Sequence, residues 1–146
     1  MKKFRFRLAP ALSARRTILE AIQGELAEVL SRQSLAEELL EQREQALKAL
    51  AAITPKAGQP FDPGNELIRQ RHLKQVRDEI ERRQHQLSEL NRVVDETRDK
   101  VAEAFRDVRA LEILEEKDRE HWKVETRRDE QKESDDFGAQ RHGRSS

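Results

Sequence analysis

The chain has 146 residues, with 29 Lys or Arg against 29 Asp or Glu, no Cys, no Tyr and 4% aromatic residues. The absence of cysteine excludes disulfides, thiolate nucleophiles and Cys-based metal sites, and so few aromatics do not furnish a broad core or a strand-rich fold. A charged content of 40%, rich in Ala, Glu, Lys, Leu and Arg, points to long helices or coiled coil, and the periodic apolar residues speak against disorder.

The first residues, "MKKFRFRLAPALSARR", carry Lys2, Lys3, Arg5, Arg7, Arg15 and Arg16 and no acid. The apolar stretch from Leu8 to Leu12 is shorter than the ~7–15 residues of a secretory apolar region, so no signal peptide is expected. No apolar run approaches the ~18 residues of a membrane span.

From Leu12 onward, apolar residues recur at alternating spacings of three and four. One row is Leu12, Leu19, Leu26, Gln33, Leu40 and Leu47; the other is Arg15, Ile22, Val29, Ala36, Arg43 and Leu50. This is a coiled-coil seam rather than a globular helix face. It predicts a first helix from about residue 13, with Ser13 as N-cap, to about residue 53. Residues 54–65, "TPKAGQPFDPGN", form a turn, because three prolines and two glycines interrupt any helix. Asn65, or Asp62 followed by Pro63, caps the next helix.

The second helix is predicted from about 66 to 137, with residues 138–146 as a disordered tail. Its rows are Leu73, Ile80, Leu87, Val94, Val101, Val108 and Val76, Arg83, Leu90, Thr97, Ala104, Leu111. Two such helices and one short connection predict an all-α, antiparallel two-helix coiled-coil hairpin. The arms are unequal. With the turn near Gln59, Leu12 lies opposite about Arg106, and the second helix overhangs by roughly 30 residues, or ~45 Å. Through the overhang the rows read Glu115, Trp122 and Asp118, Glu125, so the seam dissolves. Pairs such as Glu115–Arg119 add only ~0.2–0.5 kcal/mol each. The basic start and the acid-rich stretch 112–136 are complementary and belong at the same end.

No phosphate loop, nucleophile elbow or HExxH motif is present. His72, His85, His121 and His142 are never four apart; His121 and Glu125 share a helix face but make no metal site. Carboxylate pairs such as Glu115–Glu116 and Asp135–Asp136 read as solvated faces. No enzymatic activity, cofactor or metal is therefore expected. A DNA-binding basic region would be a long continuous basic helix, whereas Phe4, Phe6 and Pro10 interrupt this one; no nucleic-acid partner is expected. Phe4 and Phe6 among bases could touch an anionic membrane, or pack with Leu8 against the second helix. Trp122, the single Trp, is either packed against Phe4 or Phe6 or an anchor for a partner.

Phe4, Phe6, Leu8, Leu12 and Arg15 at one end, and Glu130, Gln131, Lys132, Asp135, Asp136 and Phe137 at the other, resemble the two terminal motifs of the FliJ family of flagellar export proteins. The length, the proline-rich turn and the long second helix resemble it too. The resemblance implies a non-enzymatic, cytoplasmic stalk of the flagellar type III export apparatus, peripheral to the inner membrane at the flagellar base and similar to the central stalk of rotary ATPases. The implied partners are the ring of the export ATPase FliI, the export gate protein FlhA and export chaperones. Carried onto this chain, the ring contact falls on Phe4, Phe6, Trp122, Arg128, Glu130, Gln131, Lys132, Asp135 and Asp136. The gate contact falls near the turn, on Ile68, His72 and Val76. The alternatives are the equivalent stalk of a virulence-type injectisome, or a generic coiled-coil adaptor.

Overall fold

The computed structural model describes residues 2–53, 58 and 60–144. Two helices account for nearly all of them: α1 (Ala9–Ala51) and α2 (Pro63–Arg144), with no strand among the described residues. The fold is the all-α helical hairpin that the two seams predict.

The helix boundaries differ from the predicted ones. α1 begins at Ala9, not near Ser13. The Ala9 amide donates to the Phe6 carbonyl at 3.1 Å and the Leu12 amide to the Leu8 carbonyl at 2.9 Å. Pro10 is tolerated in this first turn, where its missing N–H has no intrahelical acceptor to lose. At the other end, the Ile53 amide reaches the Leu50 carbonyl at 3.4 Å, a tightened closing turn. Arg69 Nη2 of α2 donates to the Ala51 carbonyl at 3.4 Å, satisfying one of the orphan acceptors there.

Much of the predicted turn, at 54–57 and 59, lies outside the described residues. Gly58 within it has φ +98°, a left-handed conformation natural to glycine. α2 starts at Pro63, before the expected residue 66, and Asp62 provides the cap. Its Oδ1 accepts from the Gly64 amide at 3.0 Å and its carbonyl from the Glu66 amide at 3.1 Å. α2 also continues past Phe137 to Arg144, so residues 138–144 are helical and not a disordered tail. Gly138 costs only about 1 kcal/mol relative to Ala, and no proline follows Pro63. A helix already under way is not stopped by one glycine.

Packing divides the chain into two units: residues 22–101, and residues 1–21 with 102–146. In the first unit, the half-buried and buried positions include most of the predicted seam, Ile22, Leu26, Val29 and onward in α1, Leu73, Val76, Ile80 and onward in α2, together with flanking positions such as Leu30, Leu39 and Val93. Val94, at 1% exposure, is the most completely enclosed; burying such a side chain contributes roughly 1.5–3 kcal/mol. The polar seam residues find partners. Gln33 Nε2 donates to Asn91 Oδ1 at 2.6 Å across the seam. Arg43 Nε lies 3.3 Å from Glu79 Oε1, which also takes Arg83 Nη2 at 3.1 Å. The buried Thr97 hydroxyl donates to the Val93 carbonyl at 2.7 Å. Pairings of 33 with 91 and 43 with 79 run in opposite directions, so the helices are antiparallel.

In the second unit, Leu12 (2% exposed), Phe6 and Val108 form the core, with Phe4, Leu8, Leu19 and Leu111 packed against it. Leu12 thus meets Val108, two residues from the predicted Arg106. Arg15 and Arg43, predicted in the seam rows, are exposed at its edges. Arg15 reaches Asp107 at 3.6 Å and Arg16 reaches Glu112 at 3.4 Å. Such exposed pairs add about 0–1 kcal/mol and serve mainly to set which edges meet.

Candidate partner-binding surfaces

The site residues suggested by sequence fall in separate places. Residues 2–6, ahead of α1, form neither helix nor strand. Phe4, Phe6 and Leu8 turn inward, while Lys3, Arg5 and Arg7 are exposed. This in-and-out alternation is the signature of an extended segment, and it lies along α2. The Phe4 and Trp122 rings stand 6.0 Å apart at 56°, a tilted pairing favoured by their quadrupoles. The Arg119 guanidinium carbon sits 5.2 Å from the Phe4 centroid, a cation–π contact, and Arg119 Nη2 pairs with Glu115 at 3.5 Å. Phe6 is buried and Phe4 and Trp122 are half-buried against each other. The packing alternative therefore holds for the two Phe.

Arg119 forms the pair with Glu115 that the sequence predicts, but neither Arg119 nor Lys2 was placed by sequence among the contact residues. The signal was available for Arg119, three residues before Trp122 and so on the same side of α2. Lys2 lines a groove with Trp122, Glu125, Asp129, Glu130 and Glu133. The opposing charges foreseen for the two ends do meet there.

The remaining tail residues are exposed. Arg128, Gln131, Lys132, Asp135 and Asp136 share one face, where Gln131 Nε2 donates to Asp135 Oδ1 at 3.2 Å. Glu130 faces the Lys2 groove instead. The tail set is thus two surfaces rather than one.

The profile described as "Flagellar FliJ protein" matches residues 4–146. The chain belongs to the FliJ family. No curated protein matches it, and no solved structure does. As a FliJ-family member it is a flagellar export-related protein. Both FliJ-like terminal motifs, Phe4 to Arg15 and Glu130 to Phe137, fall in the unit that joins the two chain ends.

The third set lies in the other unit. Ile68 and His72 are exposed, whereas Val76 is 9% exposed and belongs to the seam. Leu67 and Phe61 are exposed as well. Among the described residues, no group of three or more His, Asp or Glu is placed to hold a metal, and no helix is long and apolar enough to cross a membrane. His121 Nε2 lies 3.0 Å from Glu125 Oε1, both exposed. The hydrogen bond from Glu89 and the charge of Glu96 raise the Arg92 guanidinium above its ordinary value. Arginine is cationic at all physiological pH, so this adds no switch.

Proposed function

We propose that this FliJ-family chain is a non-enzymatic stalk of the bacterial flagellar type III export apparatus. In this reading it works on the cytoplasmic side, peripheral to the inner membrane at the flagellar base. It stands in the ring of the export ATPase FliI, touches the export gate FlhA through the Ile68–His72 region, and receives export chaperones. One observation supports the reading above all: over residues 123–143 α2 carries no apolar stripe, and every residue but the half-buried Thr126 is exposed. An isolated helix of this kind is marginal in water. A second protein that encloses it supplies the missing support. A polar, charge-mixed surface suits contacts with several similar subunits in turn. Arg128, Glu130, Gln131, Lys132, Asp135 and Asp136 carry those contacts, while Phe4, Phe6 and Trp122 act behind them by bracing the base of the segment.

The test is a truncation after Thr126, which keeps the Phe4–Trp122 packing and removes the polar segment. The truncated chain should lose its stimulation of the export ATPase and of ring assembly. Full stimulation by the truncated chain rejects the reading. Recovery of an injectisome ATPase instead of the flagellar one favours the virulence-type stalk, and recovery of neither favours an adaptor; the "Flagellar FliJ protein" match favours the flagellar system.

A further inference from the structure

We propose that residues 2–7 are a docking edge for an extended acidic segment of a partner protein. The inference stands apart from the stalk reading and does not depend on which partner carries the segment.

Three observations carry it. First, among the described residues no hydrogen bond reaches the backbone amides and carbonyls of Lys3, Phe4 and Arg5; the local bond that is made, from the Ala9 amide to the Phe6 carbonyl, lies beyond them. An extended backbone with bare donors and acceptors is a template for strand addition. Second, Lys3, Arg5 and Arg7 are exposed and have no ion pair among the described residues, although ion pairs recur along both helices. Lys3 and Arg5 lie in the run 2–6 and Arg7 opens the turn into α1; on an extended segment alternate side chains stand about 6.6–6.8 Å apart on one side. That spacing matches acids at every second position of a paired strand, the cross-strand arrangement that opposite charges favour. Third, the segment is held in place before any ligand arrives. Phe6 sits in the core, and Phe4 is clamped between Trp122 and Arg119. A preorganised edge loses less conformational freedom on binding than a loose tail does.

The same features argue for a peptide over other polyanions. Phe4 and Phe6 face inward, so among the described residues 2–7 no aromatic faces outward to stack a base and no apolar group faces outward to enter a lipid interface. The acids beside Lys2, namely Glu125, Asp129, Glu130 and Glu133, repel a broad anionic surface while leaving a short strand room over Lys3, Arg5 and Arg7.

The full chain should be titrated with a capped peptide of alternating Thr and Glu, followed by calorimetry and by backbone amide NMR. Expected are binding, with amide shifts concentrated at residues 3–7, and weaker binding of a peptide of the same composition with its Glu clustered. Backbone N-methylation of the alternating peptide should abolish binding. Lys3→Gln, Arg5→Gln and Arg7→Gln together should weaken it at least about tenfold, each cation contributing roughly two- to fivefold, with Trp122 emission unchanged as a sign that the segment stays in place. Phe4→Ala, which releases the clamp while keeping Lys3, Arg5 and Arg7, should weaken it as well. The proposal is overturned by no binding of the alternating peptide, by equal binding of the clustered or N-methylated peptide, or by tighter binding of phosphatidylserine vesicles or oligothymidylate than of the peptide.

Discussion

From Leu73 to Val101, α2 buries or half-buries a residue at every third or fourth position; over residues 123–143 only Thr126 is even half-buried. Both stretches are helical, but for different reasons. The first is held by the aliphatic seam, where one enclosed side chain such as Val94 contributes roughly 1.5–3 kcal/mol. The second has local pairs such as Lys123–Glu120 at 3.5 Å, each giving only ~0.2–0.5 kcal/mol. Between them, in its own unit, the extended N-terminal segment covers α2 with two Phe and a Leu. Helicity alone therefore says little about where the chain is stable. What covers the helix says more.

That comparison can be broken most sharply at the core. Leu12→Ala should cost about 2–5 kcal/mol in urea unfolding followed by circular dichroism; a loss below about 1 kcal/mol would mean that the seam does not hold that unit. Phe4→Ala should cost less, about 1–1.5 kcal/mol from the lost ring and cation contacts. It should also shift Trp122 emission to the red, and an unchanged spectrum would deny the Phe4–Trp122 packing. Replacing Gln33 and Asn91 together by Leu should leave stability within about 1 kcal/mol of the parent or raise it, since both partners of the hydrogen bond go at once; the single Gln33→Leu change should be the less stable of the two. Smallest of all, truncation after Thr126 should move the unfolding free energy by less than about 0.5 kcal/mol, even though the proposed function is lost with it. Alone, the full chain should melt below about 80 °C, and a higher cooperative transition would show that the polar segment is more strongly held than its contacts indicate.

The heptad rows made the hairpin legible, because the residues that must leave water recur at the period that puts them on one side. They were less informative at the ends. Ser13 looks like a cap, but Pro10 is the better marker, since proline favours a first turn and an N-cap Ser has no advantage once the helix has begun upstream. Asp62 with Pro63 marked the start of α2 correctly, against Asn65. Arg15 and Arg43 occupy seam positions by count yet reach out to Asp107 and Glu79, as long charged side chains do when the stem lies at an edge. The continuation of α2 past Gly138 was not legible, because nothing local distinguishes a fraying end from a persisting one. Of the surfaces, the inward turn of Phe4 and Phe6 could have been read from their spacing of two. The burial of Val76 was legible too, since it stands in the seam row. The division of Glu130 from Arg128 and Lys132 follows from helical rotation.

The spacing of Phe4, Phe6 and Leu8 has a consequence for variation in length. A period of two has only two phases. One residue inserted between Phe6 and Leu8 would send both rings outward and point Arg5 and Lys3 at the helix beneath, with the composition nearly untouched. Two inserted residues would restore the facing and move the rings one step along α2. Parity, as much as chemistry, is constrained at this end of the chain.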